Sequence, residues 1–372
     1  MKVLSQRETL YHNLSAIANI VPQHTSLPIL SNLLIQAKGS KLYFTATDLD
    51  VTVKVSMEAN VKEEGSLTVP AKKLQDVFRE LPDAELALEK RDSRLVIESE
   101  KSHFEILSLP EEDYPVVPKV QEDGGVKFLA DLVRDWADLL LFAVSKDESR
   151  PVLGGVLWEI DDREFTMVAT NGHRLAKLTH KGSFKKIAGL KDIILPPKAI
   201  NLLVRLSERG ASIEIVPGEN HLLFKGSDYE IYTRLMEGPY PNYTQVIPKD
   251  NDKIALLDRV DMLGAVRRAA LMANAATKRI ELGFEKNLLA IAVSTRDVGE
   301  ARCEVDADYA GESVRLDFNA GYLEDVLKVI KSEKVRMSFK GPDRASVIEP
   351  DEQEGGVEYL CLVMPLRVLE TA

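Results

Sequence analysis

Thr170-Asn171-Gly172-His173-Arg174-Leu175-Ala176-Lys177-Leu178 lies near the middle of a 372-residue chain, and the reading of the rest depends on it. Phe165-Thr166-Met167-Val168-Ala169 runs into it as an alternating, strand-like pattern, and a second short strand leads out. Asn-Gly between two such runs predicts a tight hairpin turn, because both residues accept positive φ. The turn holds His173 and Arg174 at a strand tip, where polar groups are presented on a rigid frame. Related stretches stand on either side, Thr47-Asp48-Leu49-Asp50 and Thr295-Arg296-Asp297-Val298. Only the middle one carries Asn-Gly-His-Arg. The chain therefore reads as three copies of one unit, with the middle copy specialised.

Other landmarks repeat with it. Val69-Pro70-Ala71-Lys72-Lys73-Leu74 matches Leu195-Pro196-Pro197-Lys198-Ala199-Ile200 and, more faintly, Phe318-Asn319-Ala320-Gly321-Tyr322-Leu323. These points lie roughly 125 residues apart, too far for a solenoid repeat and right for a whole domain. Helical spacing follows each: Leu74, Val77, Phe78 and Leu81; Ile200, Leu203 and Val204, with Ser207 closing the register; Leu323, Val326, Leu327 and Ile330. Proline at or just before the first turn suits a helix start.

Each copy opens with a further helix, expected over 7–20, 129–144 and 257–275, and each leads to a strand, at 29–36, 153–160 and 279–284. The second half of each copy is strand-rich. Stretches 118–125 and 248–252, rich in Pro, Gly or acids, mark the boundaries, giving domains 1–122, 123–250 and 251–372. The fold class is α+β, three tandem units of two helices and about eight strands, helices on one sheet face and strand edges free. A chain with complementary edges at its two ends can close head-to-tail into a ring.

Hydrophobic content of 45% and charged content of 29% are those of a globular protein. No signal peptide is expected from the first residues, and the longest apolar run, 139–144, is too short to span a bilayer. Cys303 and Cys361 have no CxxC partner and are expected to be buried thiols in a reducing cytoplasm. A net charge of −11 counts against a general nucleic-acid binder, because acidic surface repels phosphate. The acids concentrate in loops and outer strands at 58–64, 111–113, 161–164 and 349–358. The expected helices are less acidic, with Lys72, Lys73 and Arg79 on one, Lys198, Arg205 and Arg209 on another, and Arg259, Arg267 and Arg268 on a third. From charge alone, ordinary solvated faces explain such residues better than DNA does.

No GxxxxGK[ST] or GxGxxG loop occurs to cradle a nucleotide, and there is no HExxH or GxSxG motif. No metal site and no cofactor are expected. The one arrangement with catalytic flavour is His173 with Arg174, set near Asp161 and Asp162. A lone histidine at a turn without a nucleophile is more often structural or a binding contact. Met364 and Pro365 after the last strand-like run, and the loop Gly238-Pro239-Tyr240-Pro241-Asn242-Tyr243, are candidates for lining an apolar groove.

At this point the chain resembles a known family, the bacterial beta sliding clamps, which are the processivity subunits of DNA polymerase III. The resemblance spans nearly the whole length. It rests on Leu27-Pro28-Ile29-Leu30-Ser31-Asn32-Leu33-Leu34, Thr47-Asp48-Leu49, Val69-Pro70-Ala71, Thr170-Asn171-Gly172-His173-Arg174-Leu175-Ala176, Phe318-Asn319 and Val363-Met364-Pro365-Leu366-Arg367. It implies a head-to-tail homodimer ring of six domains in the bacterial cytoplasm, with no membrane association. Helices would line the hole, and double-stranded DNA would pass through without sequence readout, held by topology and weak phosphate contacts. A clamp-loader ATPase would load the ring. The replicative polymerase alpha subunit, other polymerases and repair proteins would bind through short peptides with Gln and Leu/Phe anchors.

Carried over residue by residue, the resemblance puts the partner-peptide pocket on Leu153, Thr170, Gly172, His173, Arg174, Leu175, Pro241, Val246, Tyr322, Ser346, Val363, Met364, Pro365, Leu366 and Arg367. DNA-facing positions would be Lys72, Lys73, Arg79, Lys146, Arg150, Lys198, Arg205, Arg267 and Arg268. The dimer contact would set Phe104 and Ile106 against Leu271 and Met272 of the second chain. Three departures stand out: Gln245 where some relatives have arginine beside the pocket; His24 and Asp147 where relatives often place Arg and Gln against DNA; and an extension, 368–372, beyond the family's usual end. The competing readings are an enzyme using His173 and Arg174, and a resistance copy of a clamp that differs only at the pocket.

Overall fold

The computed structural model describes all residues except 119, 121–124, 185–191, 354 and 368–372. The extension 368–372 and most of the expected boundary 118–125 lie outside the described residues. Among the described residues six α-helices fall two to each repeat: α1 Arg7–Ile17, α2 Ala71–Glu80, α3 Ala130–Leu141, α4 Pro197–Leu206, α5 Arg259–Ala270 and α6 Ala320–Val329. The other regular structure among the described residues is mainly strand. No helix among the described residues is long and apolar enough to cross a membrane.

The helix faces are those the spacing predicts. Leu74, Val77, Phe78 and Leu81 of the first repeat are buried, as are Leu323, Val326, Leu327 and Ile330 of the third. Each such side chain contributes about 1.5–3 kcal/mol through burial. In the second, Ile200 and Leu203 are buried and the Ser207 hydroxyl meets the Tyr229 phenol at 2.5 Å, so the polar residue closing the register is satisfied. Pro70 sits at the start of α2, Pro197 opens α4, and the Asn319 side chain caps α6 by accepting from the Gly321 amide at 2.9 Å.

Several expected boundaries shift, the opening helices over 129–144 and 257–275 shortening to Ala130–Leu141 and Arg259–Ala270. The opening helix of the first repeat ends at Ile17 and tightens into the 3-10 turn Ala18–Ile20. The strands expected from 29 and 153 begin later, at Asn32 and Val156, because Pro28–Ser31 and Pro151–Gly154 form proline-led 3-10 turns first. Proline has no N–H for a ladder but suits the first turn of a helix.

The chain forms two compact units, one holding Met1–Arg134 and Lys198–Leu235, the other most of 135–197 and the chain from Met236 onward. In the first unit a five-stranded sheet runs in the order Asn60–Glu63, Lys2–Gln6, Glu85–Arg91, Arg94–Ser99, Ser102–Leu107. An eight-stranded sheet joins two repeats: Tyr229–Arg234 pairs antiparallel with Val51–Glu58, Tyr229 opposite Val55 and Thr233 opposite Val51. In the second unit a twelve-stranded sheet contains the equivalent joint. There Val357–Val363 pairs antiparallel with Arg174–Lys181, Val363 opposite Arg174 and Val357 opposite His180. The last strand of one repeat thus completes the sheet of the repeat before it, twice.

Candidate functional site

The turn at the centre of the sequence is a hairpin tip, but it is wider than Asn-Gly predicts. Thr170 pairs with Leu175, leaving four residues in the loop. Gly172 has φ +88°, while Asn171 is absent from the positive-φ residues. Asn171 works through its side chain instead: its Oδ1 accepts from the His173 and Arg174 amides, both at 3.0 Å. The Thr170 hydroxyl accepts from the Gly172 amide at 3.1 Å. An Asx oxygen that mimics a backbone acceptor removes the need for a two-residue turn.

The strand leaving the tip splits its side chains between two faces. Leu175 is buried on one, in a cluster with Leu157, Val168, Ile194, Ala345 and Leu362. Val152, Met236, Tyr240, Tyr243 and Ile247 pack over that cluster, leaving Pro241 and Val246 exposed at its rim. Burial pushes the Tyr240 and Tyr243 phenols well up, and the adjacent Glu159 carboxylate adds to the effect on Tyr243. Leu153 is buried in the turn beside Val152.

Arg174 takes the other face, toward the helices. Its Nη1 donates to Asp325 of α6 at 2.6 Å, and its Nη2 donates to the Phe142 carbonyl just past α3. The guanidinium carbon lies 4.7 Å from the Tyr322 ring centre and 5.1 Å from that of Phe142. His173 stacks against the same Tyr322, with centroids 6.3 Å apart and planes 18° from parallel. The His173 carbonyl accepts from the Met364 amide at 2.9 Å, bringing the C-terminal segment to the tip. Pro365 is buried, and the Leu366 amide donates to the Asp317 carbonyl at 2.7 Å, so the chain past Val363 is held in place; Arg367 is exposed. Ser346 is fully buried opposite Val363, and its hydroxyl meets no partner among the described residues.

The structure thus brings together the tip, Tyr322, Val363 and Met364. Asp161 and Asp162 are not with them: they lie at the far end of the strand Glu164–Thr170, which separates the two turns. The expected closeness of His173 to that acidic pair is overturned, because one strand cannot bring its two ends together. Sequence reading missed Asp325 and Phe142. Asp325 lies three residues after Tyr322 on one helix face, a spacing that flags it. The Phe142 carbonyl carries no sequence signal. Arg150 lies at the tip too, its Nη1 3.1 Å from where a Cβ on Gly172 would stand, and its Nε is 3.4 Å from Asp147.

The basic residues proposed to face DNA are unevenly free. Lys72, Lys73, Lys146 and Arg268 are exposed. Arg79 is held by Asp76 at 2.9 Å and Glu80 at 3.1 Å, Lys198 pairs with Asp48, and Arg267 is 3.6 Å from Glu324. Arg205 donates to the Ala16 carbonyl at 3.2 Å, near the C-terminus of α1. Of the cysteines, Cys361 is buried as expected, and burial pushes its thiol up to about 12. Cys303 is only partly covered, because it stands on a strand with an open edge.

Three repeats joined edge to edge define a β-rich scaffold built to present surfaces. Family models for the DNA polymerase III beta subunit match all three: the N-terminal domain over 1–118, the central domain over 129–242 and the C-terminal domain over 244–367. The chain is 30% identical to the beta sliding clamp of Pseudomonas aeruginosa over 98% of its own length and 99% of the relative's. It is 32% identical to that of Caulobacter vibrioides, covering 99% and 100%. Among solved structures, the Bartonella birtlesii clamp bound to griselimycin superposes with a TM-score of 0.94 at 30% identity, covering 99% of this chain and 100% of that one. The Caulobacter crescentus clamp, with polyethylene glycol bound at its beta-motif tethering region, gives 0.90 at 30% identity over the same shares. The chain belongs to the DNA polymerase III beta subunit family, the bacterial beta sliding clamps. Its function is that of a DNA sliding clamp, a processivity factor and not an enzyme, so His173 is no catalytic base.

Proposed function

We propose that two copies of this chain, with domains at 1–122, 123–250 and 251–372, close head-to-tail into a ring around duplex DNA. The observation that carries the reading is the repeated joint. Tyr229–Arg234 completes the sheet at Val51–Glu58, and Val357–Val363 completes it at Arg174–Lys181. The third pair of equivalent strands has no such joint. Ser102–Leu107 ends its sheet with one neighbour, and Gly299–Asp308 pairs on its second side only at Ala307 and Asp308. Open edges with exposed apolar side chains favour a partner strand. Phe104, Leu107 and Leu109 are exposed around the first edge, and Leu271 and Val298 near the second. Ile106 is buried within its own sheet, so Phe104 offers more contact.

The tip at 170–175, with Tyr322, Pro241, Val246 and the segment 363–367, is the proposed seat for a short peptide from the replicative polymerase, the clamp loader or repair proteins. Buried apolar floor, exposed apolar rim and a few fixed polar groups suit that mode of recognition. Lys72, Lys73, Lys146 and Arg268 are the proposed phosphate contacts, too few for tight binding and suited to sliding.

Light scattering and a DNA retention assay test the ring. The expected result is a mass of two chains, retained on nicked circular plasmid after loading and lost from the linearised form. A monomer, or a protein held equally by circular and linear DNA, overturns it.

A further inference from the structure

We infer that Asp325 is a positioning residue for the peptide seat, an inference that rests on the reading of that seat given above. Arg174 spans the gap between a hairpin tip of the middle repeat and α6 of the last. Its guanidinium is pinned at three places: Asp325 at 2.6 Å, the Phe142 carbonyl, and the face of the Tyr322 ring. Its Nε is buried with no partner among the described residues, so no fourth contact fixes the group if one is lost. The same Tyr322 ring carries His173, and the His173 carbonyl holds the Met364 amide. Tip, ring and C-terminal segment are therefore one chain of contacts, and Asp325 is its charged anchor on α6.

A planar guanidinium held by a carboxylate on its edge and an aromatic ring on its face has one orientation. With the carboxylate removed, one carbonyl and the ring remain, which leave the group free to turn about that single hydrogen bond. Tyr322 then loses its backing, and the wall formed by His173 and Met364 loses definition before any peptide arrives. The consequence for binding is a preorganisation loss, with weaker affinity and little change in the chain's own contacts to peptide. Asp325 is itself more than one-third exposed, its side chain at 39%, so the fold does not depend on it as a buried charge. This separates a positioning role from a structural one.

The test compares Asp325→Asn and Asp325→Glu with the unaltered chain, reading affinity for a labelled peptide carrying the Gln and Leu/Phe anchors by fluorescence anisotropy. Melting temperature and solution mass are read alongside. Asp325→Asn is expected to weaken the peptide about five- to tenfold, the scale of one ordinary hydrogen bond. Asp325→Glu is expected to recover most of that, and both are expected to remain dimeric with melting temperatures close to the parent's. A second reading comes from a double-mutant cycle with Tyr322→Ala: the two losses should fall short of adding, because both act through Arg174. Equal affinity in parent and Asp325→Asn, additive losses, or losses that track melting temperature in all variants overturn the inference. Failure of the unaltered chain to bind the peptide overturns the peptide seat instead, which keeps the two failures apart.

Discussion

At the tip 47–52 the Thr47 hydroxyl accepts from the Leu49 amide at 3.1 Å, and Asp48 Oδ1 accepts from the Asp50 and Val51 amides at 3.2 and 2.8 Å. At 170–175 Thr170 and Asn171 do the same for Gly172, His173 and Arg174. Both tips also receive an amide from the end of the strand that joins them to the next repeat or the residue just past it: Arg234 donates to Asp50 at 2.8 Å, Met364 to His173 at 2.9 Å. The backbones are one design, and the furnishing differs. The first tip carries an acid fastened to Lys198 and an exposed leucine at φ +80°; the second carries a histidine, an arginine and a glycine at φ +88°. Thr and Asx build the frame, and the next three residues decide its use. The third copy shows the converse. With Arg296 where an Asx would stand, Thr295 pairs directly with Gly299, whose φ is +137°, and the loop is shorter.

Removing Arg174 should break the comparison most severely. Arg174→Ala is expected to cost about 2–3 kcal/mol of stability, because it empties a buried place and leaves Asp325 and a carbonyl unpaired. Denaturant unfolding measures it, and peptide affinity should fall beyond the Asp325→Asn value. Next come the two positive-φ positions, where opposite signs are expected. Gly172→Ala should destabilise by about 1–2 kcal/mol, from the left-handed backbone and from pressing on Arg150. Leu49→Gly should be neutral or stabilise by up to ~1 kcal/mol, since a half-exposed leucine loses little burial when its strain is relieved. The same sign at both sites would show that the tips are not one backbone design.

Much of this was legible in the residues. The helix faces follow from spacing alone, and the repeat gave the number of copies and the places of α2, α4 and α6. What could not be read is what depends on a partner strand. Alternation says that Arg174 and Leu175 point opposite ways, but not that the helices lie on the arginine's side. Asn-Gly says turn, but whether asparagine spends its backbone or its side chain on it depends on the threonine before it. Lys198 and Arg267 read as free charges because their acids, Asp48 and Glu324, lie far away in the sequence, whereas the Asp76 spacing already flags the partner of Arg79. The open edges of Ser102–Leu107 and Gly299–Asp308 become visible only when the equivalent strands of the other repeats have been paired.

Smaller effects sharpen the comparison. Asp48→Ala and Asn171→Ala should each cost about 1 kcal/mol for the lost turn acceptor. Asp48→Ala should cost the more, since it also strands Lys198, and the excess should shrink as salt is raised. Equal losses at all salt concentrations would show that the Lys198 pair contributes nothing.

The smallest expected effect separates the joints rather than the tips. Glu349 stands in the later joint where Lys225 stands in the earlier one, three places along the strand from the residue opposite Val363 in the one and opposite Thr233 in the other. Desolvation raises the Glu349 pKa; Arg336 opposes the shift and Glu358 adds to it. A carboxyl raised in the folded state is protonated more readily there than in the unfolded chain. Its ionisation therefore costs stability as pH rises through the folded pKa, and below the unfolded pKa the cost vanishes. Glu349→Gln should raise the melting temperature slightly at pH 7 and leave it unchanged near pH 4. An equal rise at both pH values would assign the gain to packing, and a fall at pH 7 would mean that Arg336 outweighs burial and holds the joint through charge.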